Sequence, residues 1–151
     1  MSHNGPMLPD DEYLLQLGRV TYALSLLESV VRAELRQLPG LPAALAERKL
    51  AGKSIEALAR AMTDPTNTGR VADPTTRDWL LGAGAELAAA ARLHHAITHA
   101  RAAGPGEEPR LHRRPDEQRD AVDITSTWLE RARTDLDEAL HQIPRLRTRA
   151  A

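Results

Sequence analysis

The sequence contains no cysteine and no phenylalanine. Without thiols there can be no disulfide, no cysteine nucleophile and no thiolate metal site, which agrees with a reducing compartment. Two tryptophans and two tyrosines are the only aromatic residues, so the core has to be built mostly from Leu, Ala, Val and Ile. An excess of charge of either sign is also lacking, since 20 basic residues face 21 acidic ones. No global field then draws the chain to nucleic acid, and any such contact must come from a local patch. Lysine is nearly missing: Lys49 and Lys53 are the only two, leaving 18 of the 20 basic positions to arginine. Its guanidinium suits phosphate better than a bare ammonium does. No apolar run approaches the ~20 residues of a membrane span, and the N-terminus has no basic-then-apolar signal pattern. The expectation is a cytoplasmic protein without membrane contact.

What is present is helical patterning. A chain of 151 residues is most simply one domain, long enough to bury roughly two-thirds of its unfolded surface. From about Asp10 to Leu38, the residues Leu17, Val20, Leu24, Leu27 and Val31 recur in steps of three and four, with Asp10, Asp11 and Glu12 at the positive end of the helix. Pro39-Gly40 ends this pattern. Glu28 lies at the edge of the stripe, either as a solvated boundary residue or as a buried carboxylate orienting a base on a later helix. Leu41 to Leu50 reads as a short helix, and Ser54 caps a run through Met62. Gly52-Lys53-Ser54 matches the tail of a phosphate-binding P-loop, but Glu47 stands where that motif needs glycine and no strand precedes it. Residues Thr63 to Ala72 read as a polar loop.

The longest pattern runs from Asp73 to Arg101. Asp73 suits an N-cap and Pro74 the first turn. Trp79, Leu80, Ala83, Leu87, Ala90, Ala91 and Ile97 form its buried stripe. Three of the six histidines, His94, His95 and His99, lie near its end with Arg92. At about 100° per residue, His94 falls on the stripe beside Leu87, turned toward the core, while Arg92, His95 and His99 share another face. Leu111-His112-Arg113 and Ala121-Val122-Asp123-Ile124 are strand-like and separated by a turn near Pro115, so they pair as a small hairpin. The last helix is expected from Ser126 to Ile143, with Thr127 and Glu130 as a capping box, a stripe of Leu129, Ala132, Leu136, Leu140 and Ile143, and Pro144 as its stop. These elements predict an all-α fold, an antiparallel bundle of about four main helices with a small β-hairpin between the last two. The domain spans 10–143, between a disordered N-terminus over 1–9 and a basic flexible tail over 144–151 carrying Arg145, Arg147 and Arg149.

Two chemistries fit the histidine-rich helix. His95 and His99, at i and i+4, could offer two metal ligands, but a third is missing from that face and Arg92 occupies it. No metal and no cofactor are expected. Acid–base chemistry fits better: a histidine can move protons while an arginine stabilises a phosphorane or activates a 2′-hydroxyl. The plain alternative is a helix whose imidazoles only pack, hydrogen-bond or face solvent.

The order of features resembles the HEPN superfamily of small helical domains. The resemblance is carried by Leu27-Glu28 on the first long helix, by the glycine-then-apolar segment Gly52 to Leu58, and by a third helix ending in Leu93-His94-His95-Ala96-Ile97-Thr98-His99-Ala100. A hairpin over Arg110 to Ile124 precedes the last helix, as in some relatives. The likeness covers roughly Glu12 to Ile143. It implies that His99 is the motif histidine. The motif arginine is replaced by His94 in one register, with His95 where an asparagine is common, and is supplied by Arg92 in a longer register. The resemblance implies a metal-independent endoribonuclease of a toxin–antitoxin or anti-phage defence system. Its site would have His99 and Arg92 as catalytic residues and His95, His94 and Glu28 in support. A homodimer, an RNA substrate and an antitoxin or other defence-system partner protein are implied with it. The same resemblance admits a non-catalytic module that binds a partner protein or a nucleotide, and an unrelated helical bundle is the third reading.

Overall fold

Asp10 starts the first helix by accepting the Tyr13 N–H on its carboxylate at 2.8 Å. The computed structural model of the protein describes residues 7–148. Most of the N-terminal segment expected to be disordered lies outside that range; within it, Met7 and Leu8 are exposed and outside any helix or strand. Helix α1 (Asp11–Gln37) buries Val20, Leu24, Leu27 and Val31, as its stripe requires. It ends before Gly40, whose positive φ of 70° favours glycine. By length and mean hydropathy α1 could cross a membrane, but its stripe is spent on the core of this fold.

After a 3₁₀ turn (Ala43–Leu45), α2 (Glu47–Leu50) gives way to the Gly52-Lys53-Ser54 turn. No phosphate cradle forms there. Instead, Arg32 of α1 donates to the carbonyls of Leu50 and Lys53, both at 2.8 Å, and Ser54 caps α3 (Ile55–Thr63) by accepting the Ala57 N–H. The polar stretch after Thr63 is not simply a loop. Asp64 and Pro65 begin a one-turn helix, α4 (Pro65–Thr68), and Asn67 is buried with its amide donating to the Ala61 carbonyl at 2.9 Å. The same Asp-Pro start opens α5 (Pro74–Thr98), where Asp73 accepts the Thr75 N–H. This helix ends three residues before Arg101, which belongs to a strand.

The expected hairpin forms, but as part of a three-stranded antiparallel sheet: β1 (Arg101–Ala102), β2 (Leu111–Arg113) and β3 (Val122–Ile124), in that order. His112 is flanked by Arg101 on one side and Asp123 on the other. The protein is therefore mostly helical rather than strictly all-α, with six α-helices among the described residues. Tyr13 fastens the sheet to α1: its hydroxyl donates to the Ile124 carbonyl at 2.6 Å and accepts the Leu111 N–H at 2.9 Å.

The last helix, α6 (Ser126–Thr148), departs from expectation at both ends. Its cap is Thr125, whose hydroxyl accepts the Trp128 N–H at 3.1 Å, not Thr127. Pro144 does not stop it. Tertiary contacts beyond the proline hold the helical course: the Leu146 side chain lies over Gly82 of α5, and Arg147 pairs with Glu34 of α1 at 2.6 Å. The residues of the expected basic tail that follow Thr148 lie outside the described range.

The core runs between α1, α3, α5 and α6 through Leu27, Leu58, Trp79, Leu87, Leu136 and Ile143. Helices α3 and α5 are antiparallel, with Gly84 against Met62 and Thr63 and His94 near Glu56. In contrast, α1 and α6 run parallel, since Gln16 meets Glu130 and Glu34 meets Arg147. A uniformly antiparallel arrangement is thereby corrected; the direction of α6 along α1 is set by pairings between residues 114 and 113 positions apart, which no local pattern signals.

Candidate functional site

The C-terminal half of α5, α3 along its length, the β2–β3 connection and Trp128 of α6 enclose an open groove of about 570 Å³. Arg60 reaches it from α3, Arg92 and His95 from α5, Arg113 from β2 and Arg119 from the turn before β3. Four arginines thus face two carboxylates there, Glu56 and Asp120. The side chains of Arg60 and Arg92 have no hydrogen-bond or ion-pair partner among the described residues. An anion entering the groove would therefore meet cations whose charge is not already compensated.

Strand alternation brings Arg113 into this site. Leu111 and Arg113 point to the same side of β2, and Leu111 packs on the helical core. The Arg113 guanidinium lies 3.3 Å from His95 Nδ1 and donates to the Asp120 carbonyl at 2.9 Å. A guanidinium can only donate, so His95 Nδ1 accepts and the ring proton sits on Nε2. Desolvation lowers the His95 pKa, and the nearby positive charges of Arg119, His99 and Arg113 lower it further, against a smaller opposing effect from Glu56. His95 is thus held neutral. The Arg113 Nε is shielded from solvent and has no partner among the described residues.

His99 caps the end of α5, its N–H donating to the His95 carbonyl at 3.0 Å. The His99 ring stacks on His95 with centroids 4.0 Å apart and planes 19° apart. His99 itself is exposed. Arg92 lies on the same side of the helix, but seven residues correspond to about 10 Å of helical rise. The chain therefore presents Arg92 within the groove and His99 beyond its end.

His94 is not turned toward the core. Its side chain is 46% exposed, with Nδ1 3.6 Å from Glu56 and Nε2 3.4 Å from Thr98 Oγ1. The stripe carries Leu87 under α3, but one α5 heptad later only the first turn of α3 remains to cover that face. Burial would raise the Glu56 carboxyl, yet its backbone hydrogen bond and His94 outweigh this and hold it below the usual range. Glu28 also departs from the supporting role. It pairs with Arg32 at 3.0 Å, and so braces the α1 contact with the turn before α3 rather than a base on α5.

Sequence reasoning missed Arg113 and Arg119, and also Arg60 on α3. The alternation in Leu111-His112-Arg113 carried a signal for the first, because the residue two from a core leucine shares its face. Arg119 had none, since its position follows from the turn in which Asp116 accepts the N–H groups of Gln118 and Arg119. Among the described residues, no group of three His, Asp or Glu side chains gathers in a way that could hold a metal ion. Compared with protein-family models, with characterised proteins and with solved structures, the chain finds no match.

Proposed function

We propose that the protein is a HEPN-like ribonuclease that cleaves single-stranded RNA without a metal ion, within a cytoplasmic toxin–antitoxin or anti-phage defence system. In this reading α1, α3, α5 and α6 are the four main helices of a HEPN-like bundle, and β2 with β3 is the hairpin inserted before the last. The observation that carries it is the stacked His95–His99 pair at the end of a groove bearing Arg60, Arg92, Arg113 and Arg119. His99 removes the 2′-hydroxyl proton; the 2′-oxygen attacks phosphorus, the bond to the 5′-oxygen breaks, and that oxygen regains a proton. Arg92 stabilises charge on the non-bridging oxygens through its forked donors. His95, engaged by Arg113, positions the His99 ring through the stack. The helical rise between Arg92 and His99 makes a homodimer part of this reading, with one protomer's His99 beside the partner's Arg92. An antitoxin or other defence-system protein would cover the site.

A DNA oligonucleotide with one internal ribonucleotide tests the chemistry. Cleavage only after the ribonucleotide, leaving a 2′,3′-cyclic phosphate, is the expected result. Cleavage elsewhere, or 3′-hydroxyl products, would contradict it. One observation favours a second reading, a non-catalytic module that binds a nucleotide or partner protein. No carboxylate bonds either His95 or His99 among the described residues, so neither imidazole is oriented as a base is in a catalytic triad.

A further inference from the structure

The opposite side of the sheet carries a different arrangement. His112 faces away from Arg113, and its neighbours across the sheet are Arg101 on β1 and Asp123 on β3. Directly paired residues share a face, so Arg101, His112 and Asp123 form one row. His112 Nδ1 lies 2.7 Å from Asp123 Oδ1. Hydrogen bonding from His112 first, and then the charge of Arg110, hold the Asp123 carboxyl below its usual range, against an opposing effect of burial. An ionised carboxylate can only accept, so His112 donates from Nδ1 and turns Nε2 away from Asp123. This imidazole is oriented by a carboxylate, which neither His95 nor His99 is.

The row opens on a pocket of about 550 Å³ that also includes Arg110, Arg114 and Glu107. Arg110 is compensated, donating to Asp123 Oδ2 at 3.4 Å and Glu108 at 3.3 Å. Arg101 and Arg114 have no side-chain partner among the described residues. Two carboxylates line the pocket; Asp123 is engaged by His112 and Arg110, which leaves Glu107 to oppose an anion. The two free guanidinium groups outnumber it, and guanidinium forks match the spacing of phosphate oxygens.

We propose that this outer face of the sheet is a second binding site, taking a phosphate monoester between Arg101 and Arg114, with the remaining P–OH of the monoester monoanion donating to His112 Nε2 as a third contact. The site is separate from the α5 groove and does not require that groove to be catalytic. A monoester can come from a free nucleotide or from the phosphorylated end of an oligonucleotide.

The test is a titration of the full chain followed by the ring signals of His112 in a nitrogen-correlated NMR spectrum. The probes are AMP and a short single-stranded oligonucleotide with either a 5′-phosphate or a 5′-hydroxyl. A saturable shift of His112 with AMP or with the phosphorylated oligonucleotide is expected, and not with the hydroxyl form. Binding by both phosphorylated probes places a free nucleotide among the ligands; binding by the oligonucleotide alone confines the site to nucleic-acid ends. The double variant Arg101→Gln/Arg114→Gln should bind at least about tenfold more weakly, since it removes both charge-assisted contacts. His99→Ala should bind as the wild type does. Both arginines are exposed, and the dispersion of the same spectrum reports that the variant folds. No saturable His112 shift with any phosphorylated probe, equal shifts with the hydroxyl form, or undiminished binding by the double variant would overturn the proposal.

Discussion

The imidazoles of His95 and His99 lie face to face, 4.0 Å apart, while Arg113 holds His95 from the other strand-bearing side of the groove. A proton added to His95 would be poorly solvated and surrounded by Arg119, His99 and Arg113, so the folded protein resists it. In the unfolded chain the same group titrates near its ordinary value of about 6.5. Below that value the unfolded state binds the proton and the folded state does not. His95 therefore contributes full stability above about pH 6.5 and loses it as pH falls toward its lower folded pKa. Urea midpoints should decline over that window, and His95→Gln should flatten the decline. Parallel declines in wild type and variant would contradict the assignment.

Tyr13→Phe isolates the latch between α1 and the sheet. The change keeps the ring and removes the hydroxyl that bridges the Ile124 carbonyl and the Leu111 N–H. Leaving these groups unsatisfied should cost about 1–3 kcal/mol in denaturant unfolding. Amide exchange at Leu111 should accelerate as well. A variant as stable as wild type, with Leu111 still protected, would show that the hydroxyl does not hold the sheet.

Gly84→Ala tests the close approach of α3 and α5. A Cβ there would stand 2.6 Å from Thr63 Cγ2 and 3.2 Å from Met62 Cβ. Alanine gains about 1 kcal/mol of helix propensity over glycine, but overpacking of this kind costs about 1–3 kcal/mol. The expected net effect is destabilisation. A thermal midpoint raised by the substitution would mean that the two helices lie further apart than described.

The homodimer has a weaker physical footing than the sequence implied. Small side chains at Ala88, Ala89, Ala91 and Ala96 would let a partner helix approach α5 closely, yet Ala91 and Ala96 are buried within the chain. Only Ala88 and Ala89 remain, half-buried. Sedimentation at tens of micromolar should still show a dimer if the site is shared between protomers. A monomer at that concentration would remove the composite site.

The helices were legible because their signals are local. Ser54 and Asp73 cap where their side chains promise, Asp10 caps α1 instead of joining its first turn, and the stripes of α1 and α6 are buried apart from the half-buried Leu17 and Leu140. Strands β2 and β3 were legible for a similar reason, their short apolar alternation. What stayed hidden depends on partners distant in sequence. Nothing near Pro144 announces that Gly82 leaves room for Leu146 or that Glu34 awaits Arg147. Nothing near Arg101 announces β2. His94 illustrates the limit most plainly: its angular position matches that of Leu87, but burial also depends on how far the covering helix extends. At the site, the sequence supplied the α5 residues but not the arginines that complete the groove from the β2–β3 connection.

The most direct measurement of the central claim is cleavage of single-stranded RNA by purified wild type and His99→Ala protein, each with and without EDTA. Removal of a positioned acid–base group should slow cleavage by at least about 10²-fold. Chelation should leave the wild-type rate unchanged, and Arg92→Lys should also be impaired because an ammonium lacks the guanidinium fork. Cleavage by His99→Ala at the wild-type rate, or wild-type cleavage abolished by EDTA, would contradict the account.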